Sequence, residues 1–213
     1  MVRLLRRLRT TGTLIGARRL CRRDSYLRQV GWFESFRRRM PIDAEGEPLP
    51  WYTYPAISFL IGRIRPDMAI FEYGSGHSTL WWSRRCRQVV SCEHDAQWYE
   101  RLRGQLPANV TYRLLEASAE GPYVRASTEY RDAFDIVIID GAERTRCCRN
   151  CTGALKRDGV ILWDNSDREE WREGYEFLAG LGFRRLDFTG MGPSSNVGWG
   201  TTIFYKSENC LGI

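Results

Sequence analysis

The chain has 213 residues, 43% of them hydrophobic, and a formal net charge of +6. That length and apolar content suit one domain whose core needs no disulfide or metal staple. Seven cysteines is an odd number, and no apolar run reaches the ~18 residues of a spanning helix or makes an uninterrupted signal-peptide core. Both facts argue against a disulfide-framed secreted protein and against a membrane-spanning one, and a cytoplasmic protein, soluble or peripheral at a membrane, is expected.

Residues 1–39 hold twelve arginines against Asp24 and Glu34, +10 in all, which leaves about −4 for the rest of the +6 chain. Leu4, Leu5, Leu8, Leu14, Ile15 and Leu20 recur loosely at helical spacing among those arginines. The segment reads as a basic helical arm able to meet anionic lipid, RNA or an acidic partner, or as a solvated helix on the domain edge. Its Arg-rich, acid-poor make-up also overlaps that of organelle transit peptides. Residues 40–56 carry four prolines among aromatic residues, the composition of an irregular connector, and the domain proper is expected over 57–213. A short helix is expected from Ser58 to Ile64, stopped by Pro66.

Strands and helices then alternate. "MAIFEYG" reads as a buried strand, "HSTLWWSRRC" as a helix, "QVVSCEH" as a strand, "AQWYERLRGQL" as a helix and "VTYRLLEAS" as a third strand. "FDIVIIDGA" is a fourth strand, "RTRCCRNCTGAL" a helix and "DGVILWDNS" a fifth strand. "REEWREGYEFLAGL" follows as a helix, and "FRRLDFTG" with "TTIFYKS" closes the sheet as an antiparallel pair. This order implies a doubly wound α/β domain, a mostly parallel seven-stranded sheet with an antiparallel final strand and ligands at the strands' carboxyl ends.

The stretch "FEYGSGHSTLWW" places Glu72 at a strand end, then Gly74 and Gly76, then a helix. A turn this bare lets a small, partly anionic ligand approach the backbone. Thr79 stands where a dinucleotide fingerprint has its third glycine, and no G-x-x-x-x-G-K-[ST] is present, which disfavours a pyrophosphate reader and a nucleoside triphosphatase. Glu93 ends the second strand 17 residues beyond Gly76, an offset at which a carboxylate can hold both hydroxyls of a ribose. Ser118, after the third strand, can bond an adenine edge. Together, Glu72-x-Gly-x-Gly, Glu93 and the Ala117-Ser118 pair resemble the cofactor motifs of class I S-adenosylmethionine-dependent methyltransferases, over about Ile57 to Lys206. The resemblance implies S-adenosylmethionine as cofactor, with Glu72, Gly74, Ser75, Gly76, Ser78, Thr79, Glu93, His94, Ala117, Ser118 and Asp140 in its site.

Asp140 follows "IVIID" and Asp164-Asn165 follows "VILW", so these three side chains are expected at adjacent strand ends. Oxygen donors of this kind suit Mg²⁺. They are similar to the metal-binding Asp, Asp and Asn of catechol-type O-methyltransferases, in which the ion also binds the substrate oxygen. The usual lysine three residues after the first Asp is here Glu143, followed by Arg144, which cannot serve as a base. For an aliphatic or sugar hydroxyl, Asp140, Glu143, Asp164 or His94 could take the proton; the bland alternative is that Asp140 and Asp164 cap helix starts. Cys147, Cys148 and Cys151 read as core-facing thiols rather than a zinc site, and Trp81, Trp82 and Trp98 as core residues. Trp51, Tyr52 and Tyr54, with the loop from Gly190 to Gly200, are candidate walls of an acceptor pocket. The expectation is O-methylation of a small molecule or a sugar hydroxyl, with or without a divalent metal. The rival readings are 2'-O-methylation of RNA and a non-catalytic cofactor-binding module.

Overall fold

The computed structural model describes residues 12–213, so Leu4, Leu5 and Leu8 of the expected arm lie outside the described residues. Residues 12–20 are helical (α1), and α2 (Tyr26–Gln29) and α3 (Trp32–Arg38) follow. The sheet domain runs α4 (Tyr54–Ile61), β1 (Ala69–Tyr73), α5 (His77–Ser83), β2 (Gln88–Glu93), α6 (Ala96–Arg103), β3 (Val110–Leu114) and α7 (Pro122–Arg125). It continues with β4 (Phe134–Ile139), α8 (Arg144–Cys151), β5 (Leu155–Asp164), α9 (Arg172–Gly180), β6 (Arg184–Gly190) and β7 (Trp199–Tyr205). The seven strands are ordered β3-β2-β1-β4-β5-β7-β6. β1 to β5 pair in parallel, and β7 runs antiparallel to both β5 and β6, as the closing pair was expected to do. Among the described residues, no helix is long and apolar enough to cross a membrane.

Alternation along the central strands divides the core. Phe71, Tyr73, Val137, Ile139 and Trp163 face one side, with the buried thiols Cys147, Cys148 and Cys151 of α8. Ile70, Ile136, Ile138 and Leu162 face the other, with Trp81 and Trp82 of α5. Burial on both faces explains why these strands read as continuous apolar runs. Gly174 lets α9 settle on Trp163, since a Cβ there would lie 2.5 Å from the indole ring. At the amino ends of the central strands, buried Asp135 accepts from the Ala69 N–H at 2.8 Å and from Lys156 Nζ at 2.9 Å, tying the starts of β1, β4 and β5.

Three local expectations change. The helix placed at Ser58–Ile64 begins at Tyr54, because Pro55 sits in its first turn, where the fixed φ suits a helix and the missing N–H costs nothing. The helix expected through Leu155 stops at Cys151, since Leu155 instead pairs with Phe134 in the sheet. The segment after β3 carries α7 and a 3-10 turn, Ala126–Glu129, which bury Tyr123, Val124 and Ala126.

Candidate functional site

The turn after β1 is shaped from beneath. Gly74 has φ +88, and a Cβ there would meet the Asp140–Gly141 backbone at 2.8–2.9 Å, so the turn rests directly on the tip of β4. Glu72 is fully buried and accepts from the hydroxyls of Ser78 (2.6 Å), Thr79 (2.5 Å) and Ser91 (2.8 Å). Burial outweighs these bonds and pushes its carboxyl up to about 7. The Thr79 hydroxyl also accepts from the Gly76 N–H at 3.0 Å. Glu72 and Thr79, expected to touch a cofactor, therefore act as supports: their polar atoms are engaged below the turn and neither side chain reaches solvent. Ser75, Gly76, His77 and Ser78 do line a cavity of about 530 Å³.

Glu93 is 3% exposed, and both of its oxygens are taken. Oε2 accepts from the Ser75 N–H (3.1 Å) and hydroxyl (2.7 Å), while Oε1 accepts from the N–H groups of His94 (2.7 Å) and Asp95 (2.8 Å). In this arrangement Glu93 clasps the glycine turn, and a ribose would have to replace the Ser75 hydroxyl. His94 is exposed, with Nδ1 3.1 Å from Glu93, and does not line the cavity; Ala117 and Ser118 lie off it as well. Asp95 caps α6 by accepting from the Trp98 N–H at 2.9 Å, which sets the Trp98 indole to donate to the Ser75 carbonyl at 2.8 Å. Trp98 is thus a cavity wall 38% exposed, contrary to its expected place in the core. Sequence reasoning also missed Tyr123. Its buried hydroxyl has no hydrogen-bond partner, and its ring stands edge-on to His94 at 5.6 Å, between the tips of β2 and β4.

Asp140 and Asp164 converge on the cavity as expected. Neither caps a helix: Glu143 holds the N-cap position of α8, which has no side-chain cap. Arg144 ties the two strand tips together. Its guanidinium donates to Asp140 Oδ1 (3.0 Å) and to the carbonyls of Asp140 (3.0 Å), Gly141 (3.0 Å) and Asp164. Asp164 is 2% exposed, and its Oδ1 accepts from the Thr201 hydroxyl (2.6 Å) and the Trp199 indole (3.0 Å). Burial raises the pKa of both carboxyls; for Asp164 the neighbouring Asp140 adds to the rise, and for Asp140 the Arg144 charge opposes it. Glu143 turns its carboxylate to Arg146 and does not line the cavity, so it leaves the set of proton acceptors.

The donor set fits Mg²⁺ poorly: a guanidinium already pairs with Asp140, and two protein donors hold Asp164 Oδ1. Asn165 lines the cavity in a left-handed backbone conformation, φ 52, beside this paired arrangement.

The outer walls come from both ends of the chain. Arg39, Met40, Pro41 and Trp51 face Ser194, Ser195 and Trp199 across the cavity. The Trp32 indole donates to the Ser195 carbonyl at 2.6 Å, and the Ser35 and Ser194 hydroxyls lie 3.0 Å apart. α3, within the segment read as an arm, therefore packs on the sheet domain. Trp51 and the Gly190–Gly200 loop are walls as expected, whereas Tyr52 and Tyr54 are core residues, 0% and 2% exposed.

No family model and no curated protein matches the sequence. Solved structures do match. The precorrin-6y C5,15-methyltransferase of Geobacter metallireducens has a TM-score of 0.55 at 19% identity, with 71% of this chain and 87% of that one covered. The precorrin 8W decarboxylase of Methanobacterium thermoautotrophicum has a TM-score of 0.54 at 20% identity, covering 80% and 97%. A spermidine synthase of Thermotoga maritima has a TM-score of 0.53 at 17% identity, covering 70% of this chain but only 56% of that one. With its strand order and antiparallel β7, the chain has the Rossmann-like fold of class I S-adenosylmethionine-dependent methyltransferases.

Proposed function

We propose that this protein is an S-adenosylmethionine-dependent methyltransferase acting on a hydroxyl oxygen of a small molecule or sugar residue. One observation carries the reading: a single cavity joins the glycine turn, Ser75 to Ser78, to two carboxylates, the half-buried Asp140 and the buried Asp164. The residues present fit the cofactor. Ser75 and Gly76 offer bare backbone to its methionine part, and the Trp98 indole forms the wall beside that turn. When bound, the cofactor supplies a methyl group already activated on a sulfonium sulfur.

The chain's own task is then to orient the acceptor and remove a proton. Asp164 is the proton acceptor we assign. Its Oδ1 is held by Thr201 and Trp199, which fixes the side chain, and its raised pKa brings it nearer the pH at which it must accept a proton. Asp140, tied to Arg144, positions rather than reacts. Trp51 and Trp199 supply flat walls suited to a ring face of the acceptor.

The test is transfer of a labelled methyl group to an extract of candidate acceptors, with donor binding measured separately by calorimetry. Asp164→Asn should lower turnover about 10²–10⁴-fold and remove the rise of rate with pH while leaving donor affinity unchanged. Turnover that survives the substitution would remove Asp164 from the chemistry. Donor binding without transfer to any acceptor would favour a binding module.

A further inference from the structure

We propose that the face bearing the cavity mouth lies on an anionic lipid surface. Two independent observations meet there. The first is apolar. Phe36, Met40, Trp51 and Val197 are 47%, 42%, 49% and 64% exposed. Met40 and Trp51 line the cavity; Phe36 is stacked on Trp32, which is bonded to the cavity-lining Ser195, and Val197 lies two residues beyond that serine. Two of these side chains thus line the cavity, and the other two neighbour residues that meet its wall. Large apolar groups held in water near one cavity mark a contact surface.

The second is charge. Residues 1–29 carry nine arginines against Asp24, +8 in all, leaving −2 for the rest of the +6 chain. Arg18, Arg19 and Arg23 meet no acidic partner among the described residues, and Leu14, Ile15 and Leu20 stand among them 69%, 50% and 52% exposed. The basic segment is joined to the domain through Tyr26. Tyr26 packs edge-on against Tyr54 at 6.4 Å, and the Tyr54 N–H donates to the carbonyl of Met191, in the loop that forms the cavity wall.

Apolar contacts decide between anionic partners. Aliphatic side chains such as Leu14, Ile15, Leu20, Met40 and Val197 gain by entering the headgroup and acyl boundary, with arginines drawn to anionic headgroups. Nucleic acid offers them nothing comparable: single strands are gripped by aromatic stacking and a basic groove, and the remainder of this chain is net negative. If the function proposed above holds, the acceptor is then an amphiphile whose hydroxyl enters from the bilayer surface between Trp51 and the loop.

The test is flotation of the full chain with vesicles of phosphatidylcholine alone or mixed with phosphatidylglycerol, at low and high salt, without any donor or acceptor. It is therefore independent of the methyl-transfer reading. Binding should require phosphatidylglycerol and fall at high salt. Replacing Arg18, Arg19, Arg22 and Arg23 together by Gln should weaken it by up to roughly a thousandfold, about fivefold for each charge at the surface. Val197→Asp should weaken it about tenfold with the melting temperature unchanged, since that side chain is solvated in the free protein. Equal binding to both vesicle types, no binding to either, or tighter retention of a mixed-sequence RNA than of the vesicles would overturn the proposal. So would a dimer in sedimentation that Val197→Asp dissociates, which would assign the face to a second copy.

Discussion

Glu72→Gln isolates one ionisation under the glycine turn. In the unfolded chain the carboxyl titrates near 4.5, and in the fold burial holds it up at about 7 despite three hydroxyl donors. Below pH 4.5 both states carry the proton, and the neutral group contributes its full stability. Between 4.5 and 7 the unfolded state loses the proton while the folded state keeps it, so stability falls by about 1.4 kcal/mol per pH unit, reaching about 3 kcal/mol before it levels off. Glutamine keeps the shape and a hydroxyl acceptor but cannot titrate. Urea unfolding of both proteins at pH 5, 6, 7 and 8 therefore gives a difference that belongs to this group, because Asp140 and Asp164 are common to both. The wild type should lose ground to Glu72→Gln with rising pH, steeply to about pH 7 and little beyond. A difference that stays level from pH 5 to 8 would mean that the three hydroxyls keep the carboxylate ionised, refuting the argument that burial dominates.

Tyr123→Phe removes a buried hydroxyl that has no protein partner. Thermal melting should show stability unchanged or raised by about 1 kcal/mol, and a loss of more than that would mean that the hydroxyl is satisfied in the folded protein. Arg144→Ala leaves Asp140 and three carbonyls without their donor, and should cost about 3–5 kcal/mol in denaturant unfolding. Cys21 is the exposed thiol among the seven; burial raises the pKa of Cys86, Cys92, Cys147, Cys148, Cys151 and Cys210. An Ellman titration should read one fast thiol in the native protein and seven in denaturant.

The sheet was legible because its central strands are apolar on both faces and its turns carry glycine or Asp. "AIFEY" and "FDIVII" could hardly be anything else, and the late antiparallel pair followed from the absence of a helix between "FRRLDFTG" and "TTIFYKS". The convergence of Asp140 and Asp164 followed from the same topology. What escaped was set by contacts distant in sequence. Nothing in "EASAEGPYVRA" says that Tyr123 turns an unpaired hydroxyl inward. The helical setting of Trp98 suggests a core residue until Asp95 is known to cap α6 and aim the ring at Ser75. That Arg144 stays protonated follows from its residue type, but its service as a four-way brace depends on the tips of β4 and β5 lying side by side.

α3 reaches the loop after β6 across more than 150 residues, through the Trp32–Ser195 bond and the Ser35–Ser194 pair. Closing so long a loop is entropically costly, and few bonds hold it shut. Parting these two segments leaves every strand pairing intact, so it demands far less energy than global unfolding. Amide hydrogens of residues 32–38 and 194–198 should thus exchange with deuterated solvent together and well ahead of the sheet. Trimming the chain to begin at the strands would discard Arg39, Met40, Pro41 and Trp51, and with them one wall of the cavity.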